Sequence, residues 1–320
     1  MKVLKIIGLS LIGLIIVLII GAYFFVKKNF TPDPNYLELT ESSNFVPIKW
    51  IASEHSPIAV LLLPIKFEGI PKTFYMQFDT GSPSTLLRRQ TMISIQEKYP
   101  NQISIDSNAA RIETEFHLGD MKVFSKKMRL YNRESQPVDW SDTSKIIVVG
   151  TLGADMIDKK ITVMDFKNSC IYFGDKVPGE YQSNLKWEKL IYKKRRTMFP
   201  AMVAGRKGKM MHDTGTSGFE LITNKKTWKK LSKKNAIPVE AFKVRSWKRE
   251  LTAYNIESDG VLNFPTDTIN LTQVTYIKGA SFMQNALMRS LGMGGMIGNQ
   301  VFMDRVLILD CMNKKYGLLD

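Results

Sequence analysis

An internal duplication restricts the fold of this 320-residue chain more than any other feature. Asp-Thr-Gly occurs at Asp79-Thr80-Gly81 and again at Asp213-Thr214-Gly215, each time after an apolar stretch (Tyr75-Met-Gln-Phe78, Lys209-Met-Met-His212) and before small turn residues. A lone triplet carries little information, because Asp, Thr and Gly are ordinary turn residues. Here a second landmark is doubled as well. Ile146–Ile157 and Gly295–Phe302 each carry an apolar-apolar-Gly segment, and Gly153, Asp165 and Asn168 match Gly298, Asp310 and Asn313 at one offset without a gap. Self-similarity on this scale means that the chain holds two copies of one half-fold.

Its length suffices for two medium lobes, and 44% apolar with 23% charged residues excludes a disordered chain. The only cysteines, Cys170 and Cys311, do not occupy matching positions in the repeat. A disulfide framework is therefore excluded, although one bridge is left open. With three histidines and two widely scattered cysteines no metal-ligand spacing arises, so neither a metal nor a cofactor is expected.

Residues 6–26 contain no charge, are long enough to span a bilayer as a helix, and end in Gly21-Ala-Tyr-Phe-Phe-Val26 followed by Lys27-Lys28. An aromatic-then-basic boundary without a small-x-small site predicts a retained anchor rather than a cleaved signal. No lipobox cysteine is present, so a lipoprotein is not expected. Lys2, Lys5 and the terminal amine place the N-terminus in the cytoplasm and the large domain outside: periplasmic, extracellular or lumenal. The expected organisation is an anchor over residues 1–28, a Pro/Asn-rich stalk over 29–44, and two lobes over 45–182 and 183–320. The lobe boundary falls in the Pro, Gly, Ser and Asn cluster near 178–185.

The net charge is +15, and with the four anchor lysines set aside the remainder holds 41 basic against 30 acidic residues. The densest cluster, Lys225-Lys226-Thr-Trp-Lys229-Lys230-Leu-Ser-Lys233-Lys234, reads as a helix begun by Thr223 or Asn224 with Trp228 and Leu231 on one face. A solvated helix face is the plain reading and adhesion to anionic lipid the functional one. No recognised module or interleaved aromatic platform accompanies the charge, so nucleic acid is not an expected partner.

Most of the chain beyond the anchor reads as short strands. Residues 57–67 and 72–78 flank a hairpin loop at 68–71; residues 197–203 and 209–211 repeat this around a turn at 204–208. A helix is predicted after each triplet, at 87–99 and 225–234. The expected class is mainly β, with two homologous lobes about a pseudo-two-fold axis, preceded by one transmembrane helix.

The two Asp-Thr-Gly-Ser/Thr loops, with the Leu152-Gly153 and Ile297-Gly298 landmarks, resemble the pepsin-like aspartic peptidases over roughly residues 45–320. The first half is also similar to the shorter retroviral-type subunits, which make the same site by dimerising. Both halves lie in one chain here, so a monomer suffices for the site. The resemblance implies that Asp79 and Asp213 form a proton-sharing dyad, with one carboxylate taking a proton from water while the other protonates a peptide carbonyl. It implies that Gly81 and Gly215 admit the backbone close to the carboxylates, that the Thr80 and Thr214 hydroxyls cross-link the loops, and that Ser82 and Thr216 bond the outer carboxylate oxygens. The implied activity is that of a membrane-anchored endopeptidase acting on protein or peptide substrates.

Three departures stand beside this. The expected first-lobe hairpin over the cleft, Ile103–His117 with Ser107-Asn108-Ala109-Ala110 at its tip, holds no tyrosine; the second-lobe hairpin near Val244–Asn255 carries Trp247 and Tyr254. His212, next to Asp213 on a strand, is expected to face away from the dyad as a packing or surface residue. No long basic segment separates the anchor from the first strand, so activation by removal of an inhibitory prosegment is not expected. The alternatives are a weak or inactive relative that binds a peptide or protein in its cleft, and, with less support, a hydrolase of other amide or glycan bonds.

Overall fold

The computed structural model describes residues 17, 20, 21, 24, 31–41, 44–106, 108–132, 135–237, 241–246, 249–279 and 292–320. The chain divides into two compact units, Met1–Pro34 and Asn35–Asp320. In the first, Val17, Ile20, Gly21 and Phe24 are helical, and the rest of the 6–26 stretch read as an anchor lies outside the described residues. Among the described residues no helix is long and apolar enough to cross a membrane.

The second unit is mainly β and carries its own core, drawn among the described residues from positions 46–316. Its strands form an eight-stranded, a ten-stranded and a six-stranded sheet. The alternation predicted from sequence shapes them: in Phe74–Phe78 the residues Phe74, Met76 and Phe78 are buried and the two between them are not, as a period of two requires.

The eight- and ten-stranded sheets share one sequence of pairings. In the first, Ser56–Ile65 pairs antiparallel with Phe74–Phe78, which runs parallel to Val148–Leu152, which is antiparallel to Leu86–Arg88, which is parallel to Met121–Tyr131. In the second the same order and senses link Arg196–Val203, Arg206–His212, Met293–Ile297, Leu221–Thr223 and Gln273–Lys278. Even the irregularity is shared: the register of the parallel pair shifts between Tyr75 and Met76, and between Lys209 and Met210.

The six-stranded sheet joins the copies edge to edge. Ile161–Asp165 pairs antiparallel with Val306–Asp310, so that Ile161 lies opposite Asp310 and Asp165 opposite Val306. The repeated Asp and Asn landmarks are turn chemistry for the two hairpins of this sheet. Asp165 accepts from the Asn168 backbone N–H (2.9 Å) and side-chain amide (2.7 Å); Asp310 accepts the same pair from Asn313, both at 2.8 Å. Such Asx bonding closes a tight turn.

Both predicted helices form. Arg89–Lys98 buries Thr91, Met92, Ser94 and Ile95. Lys225–Leu231 is capped by Asn224, whose side chain accepts from the Thr227 N–H at 3.0 Å, and it buries Leu231 while the Trp228 indole donates to Val274 O.

Two expectations need correction. The 29–44 stretch is not all stalk, because Leu37–Leu39 adds an edge strand to the eight-stranded sheet, pairing with Val123–Ser125 and packing both leucines on the core. No hairpin spans Ile103–His117. Among the described residues 103–110 hold no strand, and Asp106 closes a local turn by accepting from the Asn108 and Ala109 N–H groups. The strand Arg111–Leu118 pairs instead with Met121–Tyr131 around Gly119, whose φ of 63° suits glycine. Buried Ile112, Thr114, Phe116 and Leu118 carry the alternation past His117 and put the turn there. The second expected hairpin is present as Phe242–Ser246 with Arg249–Glu257; Tyr254 stacks on Tyr276, and Trp247 lies outside the described residues.

Gly153 and Gly298 lie against the backbones of Ser84 and Thr216, just past the two triplets, where a Cβ would overlap main-chain atoms. Gly153→Ala and Gly298→Ala should each cost about 1–3 kcal/mol in urea denaturation. Gly179→Ala, where a Cβ meets nothing within 4 Å, should stay within about 0.5 kcal/mol of wild type.

Candidate functional site

Each Asp-Thr-Gly loop leaves the end of a strand at the middle of its sheet. The Asp79 N–H donates to Leu152 O (2.9 Å) and the Asp213 N–H to Ile297 O (3.0 Å), so each aspartate takes the last rung of the parallel pair beside it. The loop then turns back on its own carboxylate. Asp79 Oδ1 accepts from the N–H groups of Gly81 (2.9 Å) and Ser82 (3.1 Å), and Asp213 Oδ1 accepts from Gly215 N–H (2.9 Å).

Thr80 and Thr214, both buried, lock the two loops together by a reciprocal exchange. The Thr80 N–H donates to Thr214 Oγ1 (2.9 Å) and the Thr214 N–H to Thr80 Oγ1 (3.1 Å). Each hydroxyl passes its own proton across to the other loop's strand, Thr214 Oγ1 to Phe78 O (2.8 Å) and Thr80 Oγ1 to His212 O (3.3 Å). All four polar groups are thus satisfied without water.

This lock brings the carboxylates face to face. A Cβ on Gly81 would lie 2.6 Å from both Asp213 carboxylate oxygens, and one on Gly215 would lie 2.6 Å from Asp79 Oδ1. Burial, and then the neighbouring Asp79 charge, hold the Asp213 carboxyl well above its ordinary range. Asp79 is raised mainly by burial, while the Ser82 N–H, Asp213 and the Gly81 N–H favour its anion. Both carboxyls are thus raised and titrate as a coupled pair, in which the second proton is harder to remove than the first. Asp79 retains some solvent contact, so a water molecule can reach it.

Ser82 and Thr216 do not act as the resemblance implied. The Ser82 hydroxyl donates to Ser84 O (3.0 Å) and that of Thr216 to Asp213 O (2.9 Å), closing local turns. At Asp79 it is the Ser82 backbone N–H, not the hydroxyl, that reaches the carboxylate, on the same oxygen that accepts from Gly81 N–H.

Behind the symmetric front, the two loops rest on different supports that the duplication did not signal. Behind the first, buried Asp155 accepts from the Thr85 N–H (2.7 Å) and hydroxyl (2.7 Å), and Thr85 Oγ1 accepts from Gly153 N–H. Behind the second, His212 is fully buried beside the rings of Phe199 and Phe302, packing as one expected alternative held and not lying on the surface. Its Nε2 lies 3.1 Å from Asn299 Oδ1; the Asn299 amide donates to Ser217 Oγ, which donates to Thr214 O. This chain makes Nε2–H the donor, and burial lowers the imidazole pKa to about 4.

Each copy also reaches across to the other's loop. Arg195, buried in the turn before Arg196–Val203, donates to Pro83 O (3.0 Å) and Ser84 Oγ (3.4 Å) and pairs with Asp158 (3.2 Å). In the opposite sense, Ser56 packs against Gly218, and His55 stacks on Phe242 (3.9 Å), which stacks on Phe219. The only sequence signals for the support behind the second loop were breaks in the repeat: Asn299 stands where the first copy has Ala154, and His212 where it has Phe78.

Cys170 and Cys311 are free thiols, and among the described residues no three His, Cys, Asp or Glu side chains are placed to hold a metal ion. No family model and no curated protein matches the chain.

Two measurements test this account. Thr214→Val strands the Thr80 N–H and Phe78 O in a dry interior and should cost about 2–3 kcal/mol in chemical denaturation. His212, with its pKa lowered from 6.5 to about 4, binds fewer protons folded than unfolded between those values. Its contribution is complete above pH 6.5 and is lost as pH falls toward 4, by something on the order of 3 kcal/mol. The raised pKa of Asp213 acts oppositely, favouring the fold in acid and losing that contribution as pH rises. Stability measured from neutral to acid pH should therefore fall less steeply in His212→Leu and more steeply in Asp213→Asn than in wild type.

Proposed function

We propose that this chain is a membrane-anchored aspartic endopeptidase that hydrolyses peptide bonds with a water molecule activated between Asp79 and Asp213. The observation that carries the reading is the pair of facing carboxyls, both raised by burial and held by the reciprocal Thr80–Thr214 bonds. In the first step ionised Asp79 takes a proton from the water, whose oxygen attacks the peptide carbonyl carbon. Asp213 gives its proton to the carbonyl oxygen, so that a neutral tetrahedral diol forms without a covalent enzyme intermediate. In the second, the proton held by Asp79 passes to the amide nitrogen, Asp213 recovers one from a hydroxyl of the diol, and the C–N bond breaks. The pair returns to its starting protonation.

On this reading residues 45–182 and 183–320 are pepsin-like lobes about a pseudo-two-fold axis. What supports it is the common pairing order of the two large sheets and the antiparallel join of Ile161–Asp165 to Val306–Asp310. Residues 6–26 anchor the protein in the membrane, the substrates are extracytoplasmic proteins or peptides, and a monomer is complete.

One observation favours a second reading, in which the cleft binds a peptide without cutting it. Among the described residues the first copy has no strand over 103–110, where a hairpin covering the cleft was expected. A cleft without that hairpin would shield a bound substrate less from water, and exclusion of water strengthens every electrostatic interaction in such a site.

Incubation of residues 35–320 with a diverse peptide library from acid to neutral pH, with cleavage read by mass spectrometry, distinguishes the two. The peptidase reading expects cleavage that falls by about 10² to 10⁴-fold in Asp79→Asn and in Asp213→Asn, and that a statine-type transition-state mimic inhibits tightly. Wild-type rates in either variant would sink the dyad. Peptide binding without cleavage by the folded wild type would establish the second reading.

A further inference from the structure

The helix Lys225–Leu231 and the turn after it present a surface that the peptidase reading does not use. Lys225, Lys226, Lys229, Lys230, Lys233 and Lys234 are all exposed, and no acidic residue lies between Glu220 and Glu240 in the sequence. The direction of the lysines is set by packing. Trp228 and Leu231 are held inward, the indole by its bond to Val274 O, so Lys225, Lys226, Lys229 and Lys230 stand on the outer side. Lys225 with Lys229 and Lys226 with Lys230 are like charges four residues apart, an arrangement that weakens an isolated helix. Among the described residues the single carboxylate paired with this cluster is Glu257, on Lys233 at 3.2 Å.

A surface kept only for solubility mixes both signs of charge; here six exposed lysines meet one paired carboxylate among the described residues. It also ends in Ile237, which is 84% exposed, more than any other large apolar side chain among the described residues. We propose that this face is a docking surface for anionic phospholipid, with the lysines on the headgroup phosphates and Ile237 entering the boundary between headgroups and acyl chains. Clustered lysines beside one apolar side chain suit a charged surface with an apolar layer beneath it. Binding of single-stranded nucleic acid also needs exposed aromatic rings for stacking, and the one aromatic residue of this helix is turned inward.

Residues 35–320, which carry their own core and lack the apolar 6–26 stretch, allow the surface to be tested alone by co-sedimentation with vesicles. Vesicles containing phosphatidylglycerol should retain the protein and vesicles of phosphatidylcholine alone should not. Retention should disappear in about 1 M salt, where charges are screened beyond about 3 Å. Changing Lys225, Lys226, Lys229 and Lys230 together to Gln removes about fivefold in affinity per lysine, more than about a hundredfold in all, with the melting temperature as a control for folding. Ile237→Trp should add a blue-shifted emission component with the acidic vesicles alone. Equal binding to both vesicle types, undiminished binding by the folded quadruple variant, or no emission shift from Trp at position 237 would overturn the proposal. Displacement from the acidic vesicles by a short oligonucleotide or an acidic polypeptide at lower concentration than by soluble phosphatidylglycerol would also overturn it, and would reassign the surface to that partner.

Discussion

The reciprocal bond between Thr80 and Thr214 is the contact through which the two copies of the half-fold become one site. Each threonine gives its backbone N–H to the other's hydroxyl and sends its own hydroxyl proton to a strand carbonyl of the opposite copy, Phe78 O or His212 O. The exchange is closed and buried, so neither loop can move without stranding polar groups in a dry interior. Holding the loops this rigidly forces two carboxylates together against their electrostatic preference, and burial compounds the cost. The result is an Asp213 carboxyl held well above its ordinary range and an Asp79 carboxyl also raised, its anion favoured by three hydrogen bonds. Symmetric scaffolding thus yields an asymmetric pair, because Asp79 receives two backbone N–H groups from its own loop where Asp213 receives one.

The supports around this front are also unequal, in ways that bear on its chemistry. Asp155 with Thr85 braces the first loop through a buried carboxyl, and burial raises its pKa. The second is braced by a neutral imidazole, an amide and a hydroxyl in series. Between the copies, the Arg195 contact is buried and ionic, and the His55–Phe242–Phe219 stack is partly open to solvent. A duplicated fold can keep one geometry at the centre while its two flanks diverge, since only the central residues must satisfy both loops at once.

Much of the local structure was legible in the sequence because local rules decided it. The period of two over Phe74–Phe78 turned three large side chains inward, Asn224 capped the Lys225–Leu231 helix, and the doubled Asp and Asn residues closed matching hairpins. Legibility failed where a residue had more than one partner within reach. The Ser82 and Thr216 hydroxyls could serve either the carboxylates or nearby carbonyls, and the tightness of each turn settled the choice for the carbonyls. The region 103–117 had turn residues at two places, and the longer run of buried alternation carried the strand on to Gly119.

Sequence by itself determined that the chain is mainly β and where two repeated turns each deliver an aspartate, since periodicity, turn residues and spacing are properties of neighbours along the chain. It also determined that a helix with lysines outward would begin at Lys225, because Trp228 and Leu231 leave it one way to pack, although the helix ends at Leu231 and not at 234 as expected. Tertiary structure alone decided that both carboxyls are raised, why His212 is neutral, and that Arg195 reaches the first loop. Those outcomes depend on burial and on contacts between residues more than a hundred positions apart, such as Arg195 with Pro83 and Thr214 with Thr80. No local rule constrains such pairs, and the fold creates them only when both copies close on each other.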